Sequence, residues 1–373
     1  MKKILFVATV PEHFYYFHLP YFELFKSLGW QVDVACSNNG RELPICDKRF
    51  DIPIDRLPLK KNNLAALNEL RKIINENDYD IIHCHTPLGG VLTRIAAQKS
   101  RKRGTKVIYT AHGFHFCKGA PAINWILYFP VEYIMSKKTD CLITVNDEDY
   151  RIAKKYFHAK KIEKVNGVGY NCDKYFPVSE DEKKELRKKF GYPTDEKILI
   201  YVAELNENKN QKMLINALNE VLKTEKNVRL ILCGEDNCNA KCKKAASELG
   251  IENKIDFVGH VENIDEYFHL SDICVGSSYR EGLPVNVMEA LACALPVVLT
   301  DNRGHRVLCK NGVNGLLVKP NDYVGMSEGI CKILSDDKLY SSMKKNAVES
   351  VKPYSKKIVV EEMKKIYLQY IRG

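Results

Sequence analysis

The stretch Ser277–Ala290 has the sequence SSYREGLPVNVMEA, and the fold of the chain can be worked out from it. The apolar run Ile273–Val275 before it predicts a buried strand, and Val285–Ala294 predicts a helix. Pro284 suits the first helical turn, where its missing N–H costs nothing, and Gly282 allows the backbone to approach a ligand closely. The N–H groups at such a helix start favour an anion such as a diphosphate.

Two glutamates stand eight positions apart in this stretch, Glu281 before the helix and Glu289 inside it. At ~1.5 Å per helical residue they would lie about 12 Å apart along the axis. Two acceptors at that separation could bind the two ends of a nucleotide-sugar, with Glu281 at the sugar hydroxyls and Glu289 at the ribose hydroxyls. The ordinary alternative is a strand, loop and helix that carry two surface glutamates.

Length and composition limit the number of domains, the cellular compartment and the kind of partner. A chain of 373 residues with 45% hydrophobic residues suits two domains, each with its own core. The 13 cysteines are scattered, and no secretory signal precedes them, so we expect a reducing, cytoplasmic compartment. The formal charge of +10 favours anionic partners without choosing among them. No apolar run approaches the ~20 residues of a membrane-spanning helix.

Strand and helix patterns alternate along the whole chain, and this predicts α/β domains built on doubly wound parallel sheets. A loop is predicted at 10–17 and the domain linker near 165–177. Strands are predicted at Lys3–Thr9, Gln31–Cys36, Ile52–Leu57, Asp80–Cys84, Lys106–Thr110, Cys141–Val145, Lys197–Val202, Val228–Cys233, Ile255–Val258, Asp272–Val275 and Pro296–Leu299. Helices are predicted at Leu19–Leu28, Leu64–Asn75, Gly89–Lys102, Ala122–Ser136, Asp181–Lys189 and Ser355–Ile371.

Glu-Gly-Leu-Pro followed by a second glutamate at this spacing resembles the E-x7-E signature of family-four retaining glycosyltransferases. The resemblance extends over nearly the whole chain and implies the GT-B fold, in which two Rossmann-like domains face each other and bind the nucleotide-sugar in the cleft. It implies an acceptor-side domain at 1–170, to which a terminal helix at 353–373 returns, and a nucleotide-sugar-binding domain at 171–352.

The resemblance also implies which residues bind the donor. Lys209 matches the lysine of the family's diphosphate loop, but Glu204 stands where the family has arginine. A carboxylate there would repel the diphosphate unless it points away or a second cation compensates. Arg303 and Arg306, after a predicted strand, are candidates for that cation. The remaining donor-side positions are the small residue beside the nucleotide, the base-reading segment and the amides before the helix: Gly234, Gly259, His260, Gly282 and Leu283.

In the first domain, His112 matches the family histidine beside the donor sugar, and with Glu281 it forms the predicted catalytic pair. Gly113 would allow close backbone approach, and His85 is a candidate for lining the site. The aromatic loop at 10–17 occupies the family's acceptor side, with three residues predicted to contact the acceptor: His13, Phe14 and Tyr15.

No metal site is predicted. His83 and His85 share one strand face and could hold zinc as a pair, but no third ligand is spaced to complete the site. The acidic motifs at 78–80 and 147–149 resemble the metal-binding D-x-D of another glycosyltransferase fold, but they lie at a strand start and a helix start. We therefore expect no cofactor and no required divalent ion.

The segment Lys118–Lys138 combines aromatic and aliphatic residues with basic ends, which suits either a membrane interface or a helix that covers a sheet. The predicted function is transfer of a sugar, with retention, from a nucleotide diphosphate donor with UDP as the expected nucleotide. The acceptor would be a saccharide or a lipid-diphosphate-linked saccharide in surface-polysaccharide synthesis, at the inner face of the cell membrane, with no nucleic-acid partner. Two alternatives remain open: a nucleotide-sugar epimerase of the same fold, and a catalytically silent nucleotide-sugar-binding partner of an active transferase.

Overall fold

The computed structural model describes residues 1–55, 57 and 60–371. It divides into two compact units, Met1–Gly169 with Lys357–Gly373, and Tyr170–Lys356. The sequence prediction instead ends the first domain at residue 170 and begins the returning segment at residue 353.

The first unit is built on a seven-stranded parallel sheet of order β3-β2-β1-β4-β5-β6-β7. Its elements are β1 Lys3–Val7, α1 Pro11–Phe17, α2 Leu19–Ser27, β2 Gln31–Cys36, β3 Lys48–Asp51, α3 Asn62–Asn77, β4 Ile81–His85, α4 Pro87–Ala96, α5 Gln98–Lys102, β5 Lys106–Ala111, α6 Ala122–Ser136, β6 Cys141–Thr144, α7 Asp147–Tyr156 and β7 Lys161–Lys164.

The second unit is built on a six-stranded parallel sheet of order β10-β9-β8-β11-β12-β13. Its elements are α8 Glu180–Phe190, β8 Lys197–Val202, α9 Gln211–Thr224, β9 Val228–Cys233, α10 Lys241–Glu248, β10 Ile255–Gly259, α11 Ile264–Leu270, β11 Ile273–Gly276, α12 Val285–Ala292, β12 Val297–Thr300, α13 Arg303–Leu308, β13 Gly315–Val318, α14 Tyr323–Ser335 and α15 Asp337–Val351. The final helix, α16 Lys356–Ile371, belongs to the first unit from Lys357 onward.

The central strands are buried on both faces, as their continuous apolar runs predict. In β1, every residue of 4–7 is fully buried. Two hydrophobic clusters in the second unit share its sheet, one containing Leu199 and Tyr201 and the other Ile198 and Ile200. Alternate residues of β8 therefore pack into opposite layers, which is the arrangement of a sheet covered by helices on both sides.

Strand order reverses in each sheet next to its first strand, because β1 lies between β2 and β4 and β8 lies between β9 and β11. In open parallel sheets, ligands bind at the carboxyl ends of the strands that flank such a reversal. These are the ends from which His85 and the loops carrying Lys209 and Glu281 project.

Three sequence predictions need correction. The predicted loop at 10–17 contains helix α1, which starts at Pro11 because proline suits the first helical turn. The strand predicted at Ile52–Leu57 lies earlier, at Lys48–Asp51, and Arg56 of the predicted range is outside the described residues. The helix predicted at Gly89–Lys102 is divided by Ala97 into α4 and α5.

Within the described part of the chain, none of the helices combines the length and apolar character needed to cross a membrane.

Candidate functional site

The loop between β11 and α12 contains the stretch that organised the sequence analysis. Helix α12 begins at Val285, so Pro284 is its N-cap residue rather than part of its first turn, with an extended ψ of 118°. Asn286 Nδ2 donates a hydrogen bond of 2.7 Å to the carbonyl of Val202 at the end of β8. The helix start is therefore attached to the strand from which the Lys209 loop departs.

Lys209 and Glu281 meet, although 72 residues separate them. Lys209 Nζ lies 2.6 Å from Glu281 Oε1, and the two side chains are only 23% and 13% exposed. The loops that carry them are joined by main-chain and side-chain hydrogen bonds: Tyr279 N to Asn208 O at 2.9 Å, and Ser277 Oγ to Lys209 O at 2.7 Å. The two predicted donor-binding motifs thus form one polar site in the second unit.

Helix α13 adds Arg303 to this site. Arg303 is 8% exposed, and its Nε donates a hydrogen bond of 3.0 Å to the carbonyl of Glu281. Gly304 allows this approach, because a Cβ at that position would lie 2.8 Å from Glu281 Cβ and 3.0 Å from the carbonyl oxygen of Gly282. Arg303 therefore places its positive charge directly beside the E-x7-E loop.

The other two residues of the predicted charge compensation lie in different surroundings. Arg306 forms an ion pair of 2.8 Å with Asp301, and both side chains are at least 40% exposed. Glu204 is exposed, and its main-chain carbonyl accepts a hydrogen bond of 2.9 Å from Gln211 Nε2. The geometry thus separates the two arginine candidates and favours Arg303 as the second cation.

Glu289 lies in α12 as predicted, half-buried, in the second unit. Loss of hydration raises the pKa of its carboxyl to about 8, although a hydrogen bond from Tyr175 and the charge of Lys174 act in the opposite direction. A carboxyl that is protonated at neutral pH can both donate and accept a hydrogen bond, which suits a diol such as a ribose edge.

Gly234 is required by the backbone. Its φ is +148°, and a Cβ would lie 2.1 Å from the carbonyl oxygen of Ala203. Its N–H donates a hydrogen bond of 2.8 Å to the carbonyl of Gly259, so the ends of β8, β9 and β10 meet here. His260 follows Gly259 and is exposed, while Gly282 and Leu283 are half-buried before α12. These predicted donor positions all lie at the carboxyl end of the second sheet.

A cluster of four histidines occupies the equivalent end of the first sheet. His13 comes from α1, His18 precedes α2, His85 ends β4 and His112 follows β5. One ring nitrogen from each lies within 4.8 Å of the others. His13 Nε2 is 3.1 Å from His112 Nε2, and His112 Nε2 is 3.4 Å from His85 Nδ1.

Burial favours the neutral imidazole at His13, His85 and His112. It lowers the pKa of His112 to about 4, and it lowers the pKa of His13 and His85 well below their ordinary value, with further repulsion from neighbouring histidines. Sequence reasoning singled out three of the four residues and missed His18. The available signal was the spacing of His13 and His18 within one aromatic segment, HFYYFH.

His83 is different, because both of its ring nitrogens are engaged by the protein. Nδ1 lies 2.7 Å from Tyr367 Oη, and Nε2 lies 2.8 Å from Thr110 Oγ1. The expected pair of His83 and His85 is therefore not the ligand set. The sequence argument against zinc, that no third ligand is spaced to complete a site, also needs correction, because histidines distant in sequence lie beside His85.

The backbone after His85 is unusual. Thr86, a β-branched residue, has a φ of +62°, and its Oγ1 bonds to Thr9 Oγ1 at 2.7 Å. Such strain persists only where surrounding structure enforces it, and it clusters at functional sites. Gly113, after His112, also has a positive φ of 147°.

The three acceptor-side predictions have different outcomes. Phe14 is fully buried, so its side chain belongs to the core and the predicted acceptor contact is corrected. Tyr15 is 41% exposed and lies under the guanidinium of Arg41, 4.6 Å from its ring centroid. His13 belongs to the histidine cluster.

Helix α6 packs against the core on one side and exposes apolar residues on the other. Glu132 is buried and forms an ion pair of 2.9 Å with the fully buried Arg94, so one side of the helix packs into the core. The other side exposes large apolar residues: Ile123, Ile126, Leu127, Val131 and Ile134.

The chain is similar to known glycosyltransferases along nearly its whole length. Residues 182–350 match the family described as Glycosyl transferases group 1, and residues 3–146 match the family described as Glycosyl transferase 4-like. Over 371 residues the chain is 45% identical to "Putative glycosyltransferase EpsD" of Bacillus subtilis, covering 99% of this chain and 97% of that protein. It is 26% identical over 340 residues to the UDP-Gal:alpha-D-GlcNAc-diphosphoundecaprenol alpha-1,3-galactosyltransferase of Escherichia coli, covering 87% and 85%.

Among solved structures, HepE of Anabaena in complex with UDP and glucose matches with a TM-score of 0.81 at 19% identity, covering 99% of this chain and all of that one. This likeness concerns the fold, and together with the two parallel sheets it confirms the predicted GT-B class. Because the 45% identity extends over nearly the full length of both chains, this protein belongs to the family-four glycosyltransferases of the GT-B fold and is a glycosyltransferase of polysaccharide or glycan biosynthesis.

Proposed function

We propose that the protein transfers a sugar, with retention of anomeric configuration, from a UDP-sugar to a lipid-diphosphate-linked saccharide. The observation that carries the donor half of this proposal is the group formed by Lys209, Glu281 and Arg303. Lys209 pairs with the Glu281 carboxylate, Arg303 bonds to the main-chain carbonyl of the same residue, and the start of α12 follows, so positive charge lies beside a carboxylate that can accept hydrogen bonds from sugar hydroxyls.

Each donor-side residue has a proposed role. Glu281 orients the sugar, and Glu289 binds the ribose. Lys209 and Arg303, with the amides of Gly282 and Leu283, stabilise the diphosphate as negative charge develops on it. The end of β10 at Gly259, with His260 directly after it, is assigned to the base, and Gly234 lets the strand ends approach closely.

In the first unit, His112 is proposed to line the reaction centre, as the family resemblance implies. Its low pKa leaves a neutral imidazole at physiological pH, which can act as a hydrogen-bond partner without adding charge. The departing phosphate oxygen serves as the base that accepts the acceptor's proton, so no separate carboxylate base is assigned.

We also propose that no divalent ion is needed at the diphosphate, because Lys209, Arg303 and the helix start supply positive charge there. Transfer should therefore survive treatment with EDTA. Activity that is lost in EDTA and restored by manganese would contradict this part of the proposal.

The acceptor proposal rests on two observations. The Escherichia coli relative acts, by its name, on a diphosphoundecaprenol-linked sugar. The exposed apolar side of α6, with Lys118, Lys137 and Lys138 at its ends, suits contact with an anionic membrane surface, where such acceptors are held. We therefore place the enzyme at the cytoplasmic face of the membrane.

Incubation with a panel of UDP-sugars, with and without membrane extract, tests the proposal through UDP release. Release that depends on one UDP-sugar and on the extract would support transfer to a membrane-bound acceptor. Conversion of the sugar without acceptor-dependent UDP release would instead indicate the epimerase. Binding of UDP-sugar without either reaction would indicate the silent partner.

A further inference from the structure

We propose that His13, His18, His85 and His112 form a binding site for a transition-metal ion of the Zn²⁺ class. The proposal concerns the first unit and is independent of the diphosphate site, where no metal is invoked.

The distances between ring nitrogens fit a tetrahedral ion. Metal–nitrogen bonds of about 2.0–2.1 Å in a tetrahedron place neighbouring ligand atoms about 3.3–3.4 Å apart. The two measured separations, 3.1 Å from His13 to His112 and 3.4 Å from His112 to His85, lie on either side of that value. With all four nitrogens within 4.8 Å of one another, small side-chain rotations would complete the site.

His85 is held differently from a buried histidine whose two nitrogens are bonded to protein hydroxyls. It is fully buried, its Nδ1 faces His112 Nε2 at 3.4 Å and is the nitrogen placed to bind an ion, and its Nε2 has no hydrogen-bond partner among the described residues. Hydrogen bonds to protein groups therefore do not account for this buried imidazole. His83 provides the contrast within the same sheet, because protein hydroxyls satisfy both of its nitrogens.

The ligand set also selects the class of ion. All four candidate ligands are imidazoles, which suit Zn²⁺ and similar borderline metals, whereas Mg²⁺ and Ca²⁺ require oxygen ligands. The neutral imidazole is the form that binds a metal. Thr86, directly after the cluster residue His85, has the strained φ of +62° that is typical of functional sites.

Occupation of the site has a consequence that rests on the proposed function. A metal would hold the His112 imidazole, which is assigned to the reaction centre, and would thereby prevent its contact with substrate. Zn²⁺ should therefore inhibit transfer, while removal of Zn²⁺ by a chelator should restore it.

Binding can be tested without any activity measurement. The reduced protein is stripped of metal with a chelator and titrated anaerobically with Co²⁺. We expect one Co²⁺ per chain, with the intense visible absorption of tetrahedral cobalt and without a thiolate charge-transfer band, and displacement by Zn²⁺ but not by Mg²⁺. A thiolate band would assign binding to cysteines, such as the close pair Cys238 and Cys242, and would overturn the proposal.

Variants then locate the ion. His18→Gln and His85→Gln should each weaken Co²⁺ binding by at least about 100-fold, whereas the matched control His158→Gln, an exposed histidine of the same unit outside the cluster, should bind as the wild type does. The half-buried His13 provides a third variant, His13→Gln, if either buried substitution disturbs the circular dichroism spectrum. Equal binding by correctly folded cluster variants and the control would refute the site.

The inhibition is tested separately, with each variant compared to its own rate without zinc. Zn²⁺ should inhibit the wild type and His158→Gln, but not His18→Gln. If the proposed transferase activity is not found, the Co²⁺ titration still tests the metal site by itself. If Zn²⁺ inhibits His18→Gln as strongly as the wild type, the histidine cluster is not the inhibitory site.

Discussion

Replacing Arg303 by alanine should weaken UDP binding, whereas the same change at Arg306, three residues along the same helix, should not. Arg303 is buried and bonded to the main chain of Glu281, so its charge is held beside the proposed diphosphate site. Arg306 is 40% exposed and paired with Asp301. Both variants remove one positive charge from α13, so a difference in their UDP affinity reports the position of the arginine and not the change in net charge.

The magnitude follows from the kind of contact that is lost. A hydrogen bond from a charged donor to phosphate contributes about 1.5–3 kcal/mol, which corresponds to roughly 10- to 150-fold in affinity at 25 °C. Loss of an exposed ion pair such as that of Arg306 costs about 0.2–1 kcal/mol of stability and no ligand contact.

Isothermal titration with UDP measures both constants, and thermal unfolding of each variant shows whether the loss of a buried arginine has disturbed the fold. Glu204→Arg, which restores the family's residue, supplies a third measurement. If folded Arg303→Ala binds UDP as tightly as Arg306→Ala, and Glu204→Arg tightens binding, then Arg303 does not compensate and the site works with one cation fewer.

Glu281→Ala should reduce turnover more than donor affinity, because the geometry of the sugar matters most in the transition state. Glu289→Ala should mainly weaken donor binding, because the ribose contacts are present in both the ground state and the transition state. Steady-state kinetics in which Glu281→Ala raises only the donor KM would contradict these roles. Because the folded state raises the pKa of Glu289 from 4.5 to about 8, its protonated form contributes stability that is complete below about pH 4.5 and is lost as the pH rises through about 8. The free energy of unfolding of Glu289→Gln should therefore increase relative to that of the wild type as the pH rises from 5 to 9, by on the order of a few kcal/mol at most, and a difference that stays constant over this range would refute the shift. The protein should sediment with anionic vesicles at low salt and release at high salt, and Ile126→Glu with Leu127→Glu should lose this association if the exposed side of α6 makes the contact.

The sequence alone identified the central strands, because a parallel strand covered on both faces must be apolar at nearly every position. Gln31–Cys36, Lys197–Val202 and Val228–Cys233 have the predicted bounds. The strands that sequence reasoning misplaced or missed are at the sheet edges: Lys48–Asp51, Lys161–Lys164 and Gly315–Val318. An edge strand has a neighbour on one side only and tolerates charged residues, which removes the continuous apolar signal from KRFD at Lys48–Asp51 and from KIEK at Lys161–Lys164. Gly315–Val318 is GLLV, apolar but only four residues long, and so too short to stand out as a strand.

The sequence also determined the family, since the E-x7-E spacing and the lysine loop are local patterns. The sequence did not determine which of these residues contact one another to form sites. Lys209 contacts Glu281 because the loops after two different strands meet at the carboxyl end of the second sheet. His18 lies beside His85 and His112 for the same reason, at the carboxyl end of the first sheet. The choice of Arg303 over Arg306 likewise depended on the direction in which α13 packs against the Glu281 loop, where Gly304 permits close approach. Side-chain neighbours that are distant along the chain follow from packing, which no local pattern encodes, and so only the tertiary structure decided them.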